Sequence, residues 1–247
     1  MPAMDTVTPT GRNTGTAMSI ESSPTVLLRL QSWLSPAFPI GGYSYSHGLE
    51  YAHEAGLLPD AGAVADWLAA DLEFGSGRVD AMLLLMAARA SDDDSLLEAS
   101  DLAAALRGTA ELALESRQQG QAFLTSVAKV WPKPELTRLM QMLRDGDVTP
   151  TLPVAVALVC RAHGIAAETA LPLYLQAWVA NLVHAAVRLI PLGQTEGLGI
   201  VCRLEEVVLR TADEATRADP AEIGSAALMV DWASMRHETQ TTRLFRS

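Results

Sequence analysis

The chain has 247 residues, 49% of them apolar, so it can bury a large core. Its formal charge of −11 and the lack of any basic stripe interleaved with aromatics exclude an ordinary nucleic-acid partner. Two lone cysteines, Cys160 and Cys202, sit outside any CxxC pair, which excludes a disulfide framework and fits a reducing, cytoplasmic setting.

Residues 1–23 are rich in Thr, Ser and Gly and lack an apolar h-region, so they read as a disordered tail and not as a signal peptide. A serine-capped helix is expected from Pro24, with Val26, Leu27, Leu30, Trp33 and Leu34 as its apolar stripe, ending at Ser35-Pro36. Then comes SPAFPIGGYSYSHGLE, Ser35 to Glu50. Pro36 and Pro39 remove backbone donors, and Gly41, Gly42 and Gly48 permit positive φ. A loop carrying Phe38, Ile40, Tyr43 and Tyr45 is too apolar for a solvated linker. It must fold onto the core or face another protein.

Helices are expected over Ser46–Ala55, closed by Gly56, and after an Asp60 cap with Val64, Trp67, Leu68 and Leu72 inward. Gly75-Ser76-Gly77 breaks the second of these before a dense apolar run over Arg78–Ala90. Asp92-Asp93-Asp94 suits the start of a helix over Ser95–Leu106 and is a poor metal site, since adjacent side chains diverge. Further helices are expected at Thr109–Val130, Pro134–Arg144, Val148–Cys160, Glu168–Ile190, Thr195–Ala218 and from Ala221 to Met235. His163-Gly164 reads as a C-terminal cap, and Thr195 as an N-terminal one. Leu171–Leu192 is long enough for a bilayer, but Asn181, His184 and Arg188 recur on one face, so it reads as a buried core helix. No stretch alternates with period two. The expectation is an all-α, single-domain bundle of about ten helices over residues 24–247, preceded by the disordered tail.

Several constellations invite chemistry. Gly42-Tyr43-Ser44-Tyr45-Ser46 approaches a nucleophile elbow, with His47 adjacent, but lacks the final glycine and the preceding strand. A serine hydrolase using Ser44 or Ser46 with His47 is therefore the weaker reading. Cys160 and His163 share helical spacing for one metal, yet a site needs three or four ligands, so a metal carrier is a weak alternative too. Gly193–Gly199 matches no phosphate loop. Arg188 lies among Val187, Leu189 and Ile190, where a buried ion pair with Glu115, or a bond to Asn181, would satisfy it. The last residues, 236–247, gather Arg236, Arg243 and Arg246 around Leu244-Phe245, the pattern of a flexible tail that orders on a partner.

The Ser35–Glu50 loop, Glu115-Ser116-Arg117-Gln118-Gln119-Gly120, His163-Gly164-Ile165, Arg188–Gln194 and the ending HETQTTRLFRS together resemble the UreF family of urease accessory proteins. The likeness runs from about Leu27 to Ser247, with departures at Leu198 and Thr241. It implies a non-enzymatic, cytoplasmic, all-α homodimer that needs no cofactor. Such a scaffold joins a UreD- or UreH-like protein and the GTPase UreG to apo-urease for nickel insertion, and modulates the GTPase. Carried onto this chain, the resemblance assigns partner binding to Tyr45, Glu50, Arg243, Leu244, Phe245 and Arg246. It gives structural or interface roles to Arg188, Gln194 and His163.

Overall fold

The computed structural model describes residues 23–247, so the tail expected over residues 1–23 lies outside them except for Ser23. Eleven α-helices follow one another among the described residues, with no strand. They are α1 (Pro24–Trp33), α2 (Leu49–Glu54), α3 (Ala61–Phe74), α4 (Ser76–Arg89), α5 (Asp93–Ala105) and α6 (Ala110–Val130). The rest are α7 (Pro134–Asp145), α8 (Leu152–His163), α9 (Ala167–Leu189), α10 (Gln194–Arg217) and α11 (Leu228–His237). The all-α expectation holds.

Local chemistry sets most of the boundaries. Asp60 accepts from the Ala63 amide at 2.9 Å to start α3. Asp92 and Ser95 form a reciprocal capping box at α5, so the aspartate run is a helix start. Thr109 caps α6, and Gly164 ends α8 at φ 66°.

Four expectations need correction. Ser23 stands at the N-cap of α1 but its side chain bonds nothing there; Pro24 alone sets the first turn. Leu27 is half exposed, and α1 buries only Leu30 and Trp33. The α10 cap is Gly193, whose amide donates to Glu196 Oε2 at 2.7 Å, instead of Thr195. Most consequentially, the final helix starts at Leu228 and not near Ala221. Pro220–Glu222 forms a single 3-10 turn, and the chain then extends until the Ala226 amide bonds the Phe74 carbonyl at 2.6 Å.

Buried side chains from α1 through α11 join one hydrophobic cluster. The long helix α9 packs against α10, α4, α8, α3, α2 and α1. It is long and apolar enough to cross a membrane, but 56% of its most apolar window is buried inside this fold. Its polar seam faces outward: Asn181 donates to the Gly42 carbonyl at 3.2 Å, while His184 and Arg188 are exposed. The core-helix reading therefore fits.

Two glycines set how closely helices meet. At Gly120 a Cβ would lie 2.3 Å from the Pro150 carbonyl oxygen, so α6 can approach the start of α8 only without a side chain. Gly48 has φ 78°, and a Cβ there would lie 2.6 Å from the Ser234 amide nitrogen. That approach brings α11, and the segment after it, against the Ser35–Glu50 loop.

Candidate functional site

The loop stays compact through unusual backbone geometry. Gly41 and Gly48 take positive φ, as does His47 at 52°, and Gly42–Ser44 forms a 3-10 turn. Its apolar side chains turn inward. Phe38 packs on Phe123 with ring centroids 5.3 Å apart, and Tyr45 is buried with its hydroxyl donating to Gln118 Oε1 at 2.8 Å. Burial raises the Tyr45 phenol above its ordinary value, although a hydrogen bond with Arg246 pulls the other way. Tyr43 remains 72% exposed.

The C-terminal segment was expected to be flexible. It is instead seated on this loop. Glu50, itself buried, accepts from two consecutive backbone amides, Leu244 at 2.6 Å and Phe245 at 2.8 Å. The Arg246 amide donates to the Ser44 carbonyl at 2.8 Å, and the Ser46 amide donates to the Ser247 carbonyl at 2.7 Å. Ser247 Oγ donates to Glu115 Oε2 at 2.7 Å. Phe245 is buried, with the Arg188 guanidinium 4.4 Å from its ring centre. Each residue from Leu244 to Ser247 thus bonds the loop through its own main chain, and the apolar anchor Phe245 is buried beneath Arg188.

Three glutamates organise the junction. His237, fully buried at the end of α11, lies between Glu111 Oε2 at 2.6 Å and Glu50 Oε2 at 3.3 Å. Arg243 also pairs with Glu111. Glu115 receives Gln119 Nε2 at 2.8 Å and faces His47 Nε2 at 3.0 Å. Burial alone would depress the His47 imidazolium. The charge and hydrogen bond of Glu115, with the charges of Asp71 and Asp80, outweigh it and lift the pKa above 6.5. The linkage then has a fixed sign. His47 contributes stability fully below its unfolded value of 6.5, and that contribution is lost as pH rises through the higher folded value. An NMR titration should place the His47 midpoint above 6.5, and Glu115→Gln should lower it. A midpoint at or below 6.5 in the parent protein would contradict this geometry.

The structure brings all six residues assigned to partner binding into this one region: Tyr45, Glu50 and Phe245 inside it, Arg243, Leu244 and Arg246 on its surface. Arg188 joins them but is not a buried ion pair. It is exposed, donates to the Tyr43 carbonyl and covers Phe245; neither Glu115 nor Asn181 is its partner. Gln194 and His163 lie elsewhere in the fold. Gln194 is the exposed first residue of α10. His163 closes α8, accepts from Arg29 at 3.3 Å and sits edge-on to Trp33. Its pKa is lowered by burial and by the nearby Arg29 and Lys133 charges.

Ser46 Oγ donates to the Ser247 carbonyl and His47 Nε2 faces Glu115, so no serine–histidine hydrogen bond forms among the described residues. Cys160 is buried and its thiol is pushed up to about 12, which makes it a poor metal ligand. Sequence reasoning missed the roles of Glu111 and His237. It also missed the exposed face of α11, formed by Leu228, Met229, Trp232 and Met235. The available signal was His237 inside the ending motif, and the unexpected charge Glu115 within an apolar helix.

Fold and site together define an all-α protein whose own last residues are bound across a glycine-rich loop. A family model described as UreF matches residues 58–205. The chain is 44% identical over 223 residues to the urease accessory protein UreF of Methylorubrum populi, covering 89% of this chain and 98% of that one. The UreF of Rhodopseudomonas palustris (strain HaA2) is 45% identical over 224 residues, 90% of this chain and 93% of the relative. That of Magnetococcus marinus is 43% identical over 233 residues, 92% and 100% respectively. The chain belongs to the UreF family.

Proposed function

We propose that this chain is a cytoplasmic, non-catalytic scaffold for urease maturation. It uses the loop–tail surface to hold a UreD- or UreH-like protein and to recruit the GTPase UreG, bringing both to apo-urease for nickel insertion. A second copy of the chain completes the scaffold, and nickel is its cargo. The observation that carries this reading is the convergence of the two most unusual sequence segments into one built surface. Exposed Tyr43, Arg243, Leu244 and Arg246 stand there over buried Glu50 and Phe245. Two arginines and a tyrosine held at one surface match the side chains in which protein-binding hot spots are enriched, and Leu244 adds apolar area between them.

Removing residues 243–247 should abolish co-purification with the UreD-like protein while leaving the helical circular dichroism intact. Leu244→Asp supplies a milder arm. Its side chain is 60% exposed, so the change should weaken complex formation about tenfold or more without lowering stability. Unchanged complex formation by both variants would refute the assignment. Turnover of generic ester substrates by the purified protein would instead revive the hydrolase reading.

A further inference from the structure

Each of the three glutamates that hold the terminal segment also faces a buried or mostly buried histidine. Glu50 accepts from the Leu244 and Phe245 amides and lies 3.3 Å from His237 Nε2. Glu111 pairs with Arg243 and lies 2.6 Å from His237 Nδ1. Glu115 accepts from Ser247 Oγ at 2.7 Å and lies 3.0 Å from His47 Nε2. Both ring nitrogens of His237 thus face carboxylate oxygens. An ionised carboxylate only accepts, so both nitrogens must carry hydrogen and the ring is an imidazolium. The seat therefore matches three carboxylates with three cations, His47, His237 and Arg243.

The other charges around the seat do not replace a lost histidine cation. Asp71 of α3 and Asp80 of α4 act on His47 and add negative charge; Asp71 accepts from Ser76, and Asp80 pairs with Arg107. From α9, the Trp178 ring meets His47 edge-on at 5.7 Å, while Arg188 stands exposed over Phe245. Arg246 is exposed and acts on Tyr45, whose phenol burial raises above 10.0, out of the neutral range. Glu238, beside His237, is turned to the Ala110 and Glu111 amides. Taking the proton from either histidine leaves a carboxylate buried without its cation, and an uncompensated buried charge is strongly destabilising. At His237 the shorter contact to Glu111 keeps the last hydrogen on Nδ1. The Nε2 lone pair then opposes Glu50, the acceptor of two segment amides. Lifting the segment lets water reach these carboxylates, so loss of the protons favours release. The direction follows from His47. Its value is raised above 6.5, so the cation persists through that pH and is lost as pH rises through the higher folded value.

We propose that the seat is a pH-operated clasp: the terminal segment is held while His47 and His237 are cationic and is released as they lose their protons on the alkaline side. The inference goes beyond the scaffold reading and does not depend on it, because it concerns this chain alone.

The full chain labelled with 4-fluorophenylalanine gives four fluorine signals, and that of Phe245 is the one lost in Phe245→Leu. Spectra are taken from about pH 6 to about pH 9. At the acidic end the Phe245 signal should hold a buried position, since the residue is 3% exposed. On raising the pH it should move toward the position seen in urea, with a midpoint above 6.5. The ratio of seated to released chain should fall about tenfold or more across the range. The signal of Phe123, deep in the core, should not move. His47→Gln and His237→Gln remove one titratable ring each, so each should lower the seated fraction at the acidic end and flatten the profile. The unaltered chain gives the decisive reading, so the test does not depend on either variant folding. A Phe245 signal that stays in place throughout would overturn the proposal. So would release on acidification alone, a change shared equally by Phe123, or an unaltered profile in both variants.

Discussion

Glu50→Ala releases the C-terminal segment while the helical body stays folded. The carboxylate accepts from the Leu244 and Phe245 amides and contacts His237 Nε2, and among the described residues no other bonds those two amides. Hydrogen bonds to a charged group contribute about 1.5–3 kcal/mol each, and losing this acceptor strands two amides and His237 Nε2, whose ring keeps its Glu111 partner. Because these bonds share one partner they do not add, and a loss of about 3 kcal/mol in the seating of the segment is expected. The remaining main-chain ties are Arg246 to Ser44 and Ser247 to Ser46; with the Ser247–Glu115 and Arg243–Glu111 contacts and the packing of Phe245 they hold the segment more weakly against its conformational entropy. Hydrogen exchange at Leu244 and Phe245 should therefore accelerate by about a hundredfold, with exchange in the α8 and α9 core unchanged. Protection that persists at those two amides would show that Glu50 is not the clasp.

Gly120→Ala should give the largest loss of global stability. The added Cβ would lie 2.3 Å from the Pro150 oxygen and 2.7 Å from the Thr151 carbonyl carbon, both backbone atoms that no rotamer change can move aside. Helix α6 packs on α8 along this contact, so the strain enters the core, where overpacking costs about 1–3 kcal/mol or more. At roughly 2–4 °C per kcal/mol for a chain of this size, the thermal midpoint should fall by about 2–12 °C. Gly199→Ala is the matched control. Nothing lies within 4 Å of a Cβ there, and alanine in a helix interior is favoured by about 0.5–1 kcal/mol. Equal midpoints for the two variants would mean that the α6–α8 approach is looser than the structure shows.

Much of this architecture was legible in the sequence because its causes are local. Asp60, Asp92, Thr109 and Gly164 mark helix ends through capping chemistry confined to three or four neighbouring residues. Boundaries that depend on distant partners were not legible. The extended run before α11 exists because the Ala226 amide meets the Phe74 carbonyl, and Ser225 Oγ reaches Asp231 at 2.7 Å. The site shows the same divide. The loop and the terminal segment stood out through proline, glycine and arginine content, yet nothing local says that one lies on the other. That follows from Glu50, whose carboxylate joins residues 194 and 195 positions away. Arg188 illustrates the limit well. Its apolar sequence neighbours implied a buried cation, whereas the helix presents it outward over Phe245.

The central claim is that the loop and the seated segment form one partner-holding surface. Size-exclusion chromatography of the full chain mixed with a UreD-like protein and UreG tests it most directly, alongside the Glu50→Ala and Leu244→Asp variants. The account predicts one co-eluting complex for the parent chain and its loss or marked weakening for both variants, each still helical. Undiminished complexes with both would contradict it.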